Sequence, residues 1–288
     1  MCMTETLIPS ITLNDGTEMP AMGLGTWKLQ GEEAITAVRS AIELGYRHFD
    51  TAVIYGNEEE VGRAIADAIA AGDVTRDELF ITSKLWHDHH GEQLAQKSFQ
   101  DSLSRVGMDY LDCYMVHWPW PKKGAFVETF EGLAKLQGLG QLQSIAVANF
   151  NAEQLSAIIA ATGIAPVLNQ VELHPGFSQA PLREFHATHK IVTEAWSPLA
   201  QGGALDHALV CSIAQQLGKT PSQVTLRWIY QLQASSVPKS ASPARQAENM
   251  QIFDFELDDS QMQALTALDD APGGGRLFAD PDLYPGDD

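Results

Sequence analysis

The chain has 288 residues, 44% of them hydrophobic, and a formal net charge of −19. That length allows one large α/β barrel or two ordinary domains, and the acidity argues against general binding to nucleic acid or to an anionic membrane. The apolar runs are too short to cross a bilayer, and the opening MCMTETLIPSITLNDGTEMP lacks the basic start and apolar centre of a secretory leader, so a soluble cytoplasmic protein is expected.

In chain order, ITLNDGTEMP predicts a hairpin that turns at Asp15–Gly16. Eight short, nearly continuous apolar runs follow: Met22–Thr26, His48–Ala52, Leu79–Leu85, Leu111–His117, Ser144–Asn149, Val167–Leu173, Ile191–Ser197 and Ser236–Lys239. Such runs suit parallel strands covered on both faces. Between them, apolar residues recur at helical spacing. Ile35, Val38 and Ile42 share a face, as do Phe99, Leu103 and Val106, then Phe126, Phe130 and Leu133, then Leu155, Ile158 and Ile159. The stretch around Leu182 and Phe185 is weaker. Leu209, Ile213 and Leu217, then Val224, Trp228 and Leu232, complete the series. Asn151 and Ser222 are expected helix starts, and Gly107 and Gly218 expected stops. A last helix near Ser260–Leu268 precedes the Gly/Pro-rich tail GGGRLFADPDLYPGDD.

Eight alternating β/α units predict a (β/α)₈ barrel spanning residues 1–288 as one domain, with the hairpin closing its floor. The alternative, an open doubly wound sheet, would carry a GxGxxG loop after its first strand. Here Gly23–Leu24–Gly25–Thr26–Trp27 leads on to Gly31 without that spacing. The cysteines, Cys2, Cys113 and Cys211, are odd in number and far apart, which predicts free thiols in a reducing compartment.

In such a barrel the carboxyl ends of the strands face the active site. Asp50, Lys84 and His117 fall at those ends, and Tyr55 lies on the loop after Asp50. A tyrosine keeps its proton at neutral pH, its reference pKa being about 10. It is therefore suited to donate to an alkoxide forming on a carbonyl. A nearby ammonium, Lys84 with Asp50 as its charge partner, favours the phenolate. His117 is placed to donate a second hydrogen bond to the same oxygen. Side chains supply no hydride, so this chemistry calls for a cofactor. Near the other end of the chain, Lys239, Ser240, Ser242 and Arg245 bring two cations and two hydroxyls together, a grouping suited to a phosphate. Each of these residues alone has an ordinary structural use. The HDHH run at residues 87–90 and the Cys113/His117 pair lack the accompanying carboxylates of a metal hydrolase, and no metal is expected.

Taken together, DTAVIYGNEE, ITSKLW, VHWP, LNQVELHP and PKS followed by R and EN resemble the aldo-keto reductases over about Ile11 to Pro281. The Trp in EAWSPLAQG is similar to the bacterial 2,5-diketo-D-gluconate reductase-like branch. The resemblance implies the barrel, catalysis by Tyr55, Lys84, Asp50 and His117, and NADPH as cofactor. It implies that Lys239, Ser240, Ser242 and Arg245 take the 2′-phosphate and that Glu248 and Asn249 take adenine. Asn149 and Gln170 would hold the carboxamide, and Trp196 would stack on the nicotinamide. Ser197, Leu199 and Gln201 would cover the pyrophosphate, with Gly25, Thr26 and Trp27 also beside the cofactor. Ala148 stands where the family commonly has Ser, which removes one carboxamide contact. Trp27, Trp86 and Trp118 would line the substrate pocket with Tyr55 and His117. A monomer acting on a small carbonyl compound is implied. A redox-sensing regulatory subunit with slow turnover is the alternative, although no long partner-binding extension is visible.

Overall fold

The computed structural model describes residues 8–284. The first seven residues, Cys2 among them, and the last four residues of the tail lie outside that range. Two short strands, β1 (Ser10–Thr12) and β2 (Glu18–Pro20), form the antiparallel hairpin, with Gly16 at φ 89 in its turn. Leu13 and Met19 pack with Phe80, Cys113, Val167 and Leu168 at the amino ends of the barrel strands. The hairpin therefore closes the floor, as expected.

The eight barrel strands are β3 (Leu24–Gly25), β4 (His48–Asp50), β5 (Phe80–Leu85), β6 (Cys113–Val116), β7 (Ser144–Ala148), β8 (Leu168–Glu172), β9 (Val192–Trp196) and β10 (Ala234–Ser236). Neighbours pair in parallel in strict chain order. Parallel bridges Met22↔Ser236 and Gly25↔Lys239 join the first strand to the last segment and close the ring. At that seam Gly25 is required by space: a Cβ there would lie 2.6 Å from the Val237 carbonyl oxygen.

Helices α1 (Gly31–Leu44), α2 (Glu58–Ala71), α3 (Glu92–Val106), α4 (Phe126–Gly138), α5 (Ala152–Thr162) and α6 (Ala180–Thr188) follow successive strands. Two more, α7 (Ala208–Leu217) and α8 (Pro221–Gln231), separate β9 from β10. After β10 come α9 (Pro243–Met250) and α10 (Asp259–Thr266). Each apolar stripe read from the sequence faces the strands: Val38 and Ile42, Phe99 and Val106, Phe130 and Leu133 are all buried in one cluster. Asn151 caps α5 through a capping box with Gln154, and left-handed Gly107 and Gly218 end α3 and α7. The expected start at Ser222 is corrected to Thr220. Its side chain accepts the Gln223 N–H, and Pro221 takes the first helical position, where its missing N–H costs nothing. Helix α2 was not anticipated, because its inner face is built largely from small residues. Gly62 sits where a Cβ would meet the Val106 carbonyl at 1.9 Å, so the close approach of α2 to α3 depends on it. Cys113 and Cys211 are free thiols. No helix of the described residues is long and apolar enough to cross a membrane.

Candidate active site

Strand geometry brings the four predicted catalytic residues to one end of the barrel. Asp50 ends β4, Lys84 lies one residue from the end of β5, and His117 follows β6 directly. Tyr55 closes a short 3₁₀ turn, Val53–Tyr55, with Gly56 left-handed behind it. Asn57 fixes that turn from below. Its amide N–H group donates to the carbonyls of Thr26 and Leu29 at 2.8 Å, and its oxygen accepts from Thr51 Oγ1 at 2.7 Å.

Lys84 is wholly buried. Its Nζ donates to both Asp50 oxygens at 2.6 Å and to the Thr51 carbonyl at 2.9 Å. Burial works against its charge, but Asp50 above all, with Tyr55 and Glu194, raises its pKa overall, so it stays an ammonium. Nζ lies 5.2 Å from the centre of the Tyr55 ring. The Tyr55 hydroxyl has a raised pKa: burial raises it more than Lys84 lowers it, while Asp50 adds to the rise. The expectation that the ammonium favours the phenolate is thus met only in part, because desolvation of the phenol outweighs it. His117 stands across from Tyr55, ring centres 5.7 Å apart and nearly perpendicular. Burial, then Lys84, holds its pKa well below 6.5. It is therefore neutral at physiological pH, a hydrogen-bonding imidazole rather than a cation.

Asp50, Tyr55 and His117 border a cleft of about 780 Å³, while Lys84 lies buried behind its wall. The end nearest Tyr55 is walled by Trp27, Ile54, Trp86, Trp118 and Tyr284, and the far end by Lys239, Ser240, Arg245 and Asn249. Asn149, Gln170, Trp196, Ser197, Leu199 and Gln201 lie between, and Gly25 and Asp50 also border it. Three predicted cofactor residues do not line the cleft. Thr26 is fully buried, its hydroxyl on the Asp50 carbonyl at 3.0 Å. Ser242 caps α9. The Glu248 carboxylate accepts the Thr220 hydroxyl at 2.7 Å, across toward α8.

Two features fit this cleft to a dinucleotide. First, Lys239 and Arg245 are exposed and have no ion-pair partner among the described residues, in a chain whose net charge is −19. Two unpaired cations beside Ser240 are matched to a phosphate. Second, the Gln170 N–H group donates to Asp50 Oδ2 at 2.9 Å and Glu194 Oε2 at 2.7 Å. Both its protons are spent, which leaves its carbonyl oxygen for an amide N–H in the cleft. Asn149, at φ 65, donates to the His117 carbonyl at 3.0 Å and accepts the Trp196 indole N–H at 2.8 Å.

Several residues here were not singled out in the sequence. Glu194 is a carboxylate with zero exposure inside the barrel. Glu172, equally buried, accepts the backbone N–H groups of Leu277 and Phe278 and holds the tail over the cleft. Phe278 then rests edge-on against Trp196, ring centres 4.8 Å apart, and Tyr284 rests against Trp118 at 4.5 Å. A charged residue within an apolar strand run was the one available signal for the two acids. Among the described residues no group of three or more His, Cys, Asp or Glu side chains could hold a metal. His89 of the HDHH run is engaged with Asp88 at 2.6 Å.

A closed (β/α)₈ barrel with a buried amine–carboxylate pair beneath a phenol, and a long cleft leading to paired cations, defines an oxidoreductase of the barrel class. The chain belongs to the aldo/keto reductase family, whose profile matches residues 21–270. It is 45% identical over 278 residues to a protein named methylglyoxal reductase DkgA from Escherichia coli K12, covering 96% of this chain and 98% of that one. A crystal structure of a Gox0644 mutant in complex with NADPH superposes with a TM-score of 0.90 at 41% identity, covering 96% of this chain and 98% of the other. A Bombyx mori aldo-keto reductase in complex with NADP superposes with a TM-score of 0.89 at 34% identity, covering 97% and 98%.

Proposed function

We propose that this protein binds NADPH along the cleft and reduces an aldehyde or ketone to an alcohol, with Tyr55 as proton donor. The observation that carries the reading is the buried Lys84–Asp50 pair under the Tyr55 phenol, with neutral His117 facing it. When bound, the dinucleotide supplies the hydride. The chain's own residues do the rest. A substrate carbonyl seated between Tyr55 and His117 accepts a hydrogen bond from each. As charge builds on its oxygen, the Tyr55 hydroxyl donates its proton, and the fixed Lys84 charge stabilises the phenolate left behind. Asp50 keeps Lys84 in place, so little reorganisation is needed during the step.

At the far end, Lys239 and Arg245, with Ser240, hold the 2′-phosphate, and Asn249 borders the adenine. Ser242 and Glu248 serve that end by shaping α9 and its contact with α8, not by lining the cleft. Trp196 stacks on the nicotinamide, and Gln170 and Asn149 set its carboxamide. Trp27, Trp86 and Trp118 make an apolar, largely aromatic seat for the carbonyl compound. A small dicarbonyl of the methylglyoxal kind is the substrate we place first, by likeness to the DkgA relatives.

The test is an initial-rate screen of aldehydes, α-dicarbonyls and keto-sugars with NADPH and with NADH. NADPH-dependent turnover of at least one carbonyl class is expected. Tight NADPH binding without turnover of any member would overturn the reading as a reductase.

A further inference from the structure

We infer that Glu194 is a positioning residue for the cofactor, setting the Gln170 amide so that only its carbonyl oxygen meets the nicotinamide carboxamide. The inference rests on the proposed placement of NADPH. Gln170, Glu194 and Ser235 are direct partners across β8, β9 and β10, so the three side chains form one rung inside the barrel. Glu194 is fully buried. One of its oxygens accepts the Ser235 hydroxyl at 2.9 Å and lies 3.9 Å from His48 Nδ1. The other accepts the Gln170 N–H group at 2.7 Å.

Glu194 makes no hydrogen bond to Lys84 or Asp50, although its charge adds to the rise in the Lys84 pKa. A carboxylate taken wholly out of water is costly unless it is well hydrogen-bonded. Its geometry indicates what its retention achieves. Gln170 has two amide protons and gives one to each of two carboxylates, Asp50 and Glu194. A reversed amide would press its oxygen against both carboxylate oxygens at the same spacings. The pair therefore fixes the amide by attraction and by repulsion together. With Glu194 gone, only the Asp50 contact remains, and the amide is free to swing.

The consequence is chemical selectivity at the cofactor. A carboxamide carries N–H donors for the Gln170 oxygen, whereas an acetyl group in the same position carries none. The test compares NADP⁺ with its 3-acetylpyridine analogue, both titrated by quenching of tryptophan fluorescence. Wild type should prefer the carboxamide cofactor by about tenfold, the worth of a well-placed hydrogen bond in a buried site. Glu194→Leu should bring that preference close to unity, while Glu194→Gln, which keeps an acceptor facing Gln170, should retain most of it. Should Glu194→Leu fail to fold, Ser235→Ala, which frees one Glu194 oxygen, should reduce the preference in the same direction. Equal weakening of both cofactors in these variants would reduce Glu194 to a structural residue and overturn the inference. A wild-type protein that binds NADP⁺ but shows no preference would overturn it differently, by removing the carboxamide from Gln170. Failure to bind NADP⁺ at all would instead overturn the proposed cofactor and the inference with it.

Discussion

Glu172 Oε1 accepts the backbone N–H of Leu277 at 2.6 Å, tying the end of β8 to the tail that covers the cleft. Its other oxygen accepts the Phe278 N–H at 3.3 Å, and His174 Nε2 approaches Oε1 at 3.0 Å. Asn151 and Gln154 hold the tail again at Asp282, at 2.6 and 3.1 Å.

Glu172→Leu should loosen this attachment at a cost of about 2–4 kcal/mol, since hydrogen bonds to a charged acceptor are lost. Hydrogen exchange should quicken at the amides of residues 277 and 278. Turnover of bulky ketones should gain relative to small dicarbonyls as Phe278 and Tyr284 move away. Unchanged exchange at those two amides would contradict the clamp.

Tyr55→Phe should leave the fold and NADPH affinity intact yet lower the rate of carbonyl reduction by at least about 10²-fold, the lower range for a positioned acid. Because the phenol's pKa is raised, mainly by burial, the proton it donates is present throughout the neutral range. Reduction should therefore lose rate on the alkaline side only as pH rises through that raised pKa, above the ordinary tyrosine value of about 10. Near-normal rates in the folded Phe variant would remove Tyr55 as the donor.

Arg245→Ala should weaken NADPH binding by about ten- to a hundredfold, the worth of one charge-assisted bond to phosphate. NADH, which lacks that phosphate, should bind almost as before. Arg245 is exposed, so the difference should shrink as salt is added. Titration of both cofactors at two ionic strengths measures it. Equal losses for NADH and NADPH would place Arg245 elsewhere than at the phosphate.

Stability should fall on the acid side of about pH 6.5, the ordinary histidine value. Burial, first among the causes, pushes His90 down to about 4 and His186 down to about 3, and holds His117 well below 6.5. These rings are neutral in the fold and become protonated in the unfolded chain near 6.5. The stability they contribute is whole above that pH. It is lost as pH falls toward 4 for His90 and on toward 3 for His186. For His186 the geometry agrees: Asn169 Nδ2 donates to its Nε2 at 3.0 Å, so that nitrogen has no room for a proton. Urea midpoints measured from pH 7.5 to 4 should decline steadily below 6.5, and a flat profile would contradict the buried neutral rings.

The strands were legible because parallel strands buried on both faces must be apolar almost throughout, as Cys113–Val116 and Ser144–Ala148 are. Helix α2 escaped because Gly62, Ala64 and Ala68 on its inner face carry little hydrophobic signal. The catalytic words stood out because several polar residues interrupt apolar strands at their carboxyl ends. Glu172 interrupts β8 at its carboxyl end and Glu194 interrupts β9 at its middle, but neither belongs to a set whose chemistry is readable without the contacts of Gln170, Ser235 and the tail. The placement of Glu248 shows the reverse limit. Its position beside Asn249 on α9 is plain in the sequence, yet the helix turns its carboxylate toward Thr220.

The seam where Gly25 meets Lys239 gives the molecule an order of assembly. It joins the earliest strand to the segment that carries Lys239 and leads to Arg245, so the far end of the cleft is complete only once almost the whole chain has left the ribosome. A chain interrupted between Lys84 and that segment would carry Asp50 and Lys84 but neither Lys239 nor Arg245. Since a ligand that binds only the closed ring stabilises it by mass action, the cell's supply of the dinucleotide becomes a factor in the protein's lifetime as well as in its turnover.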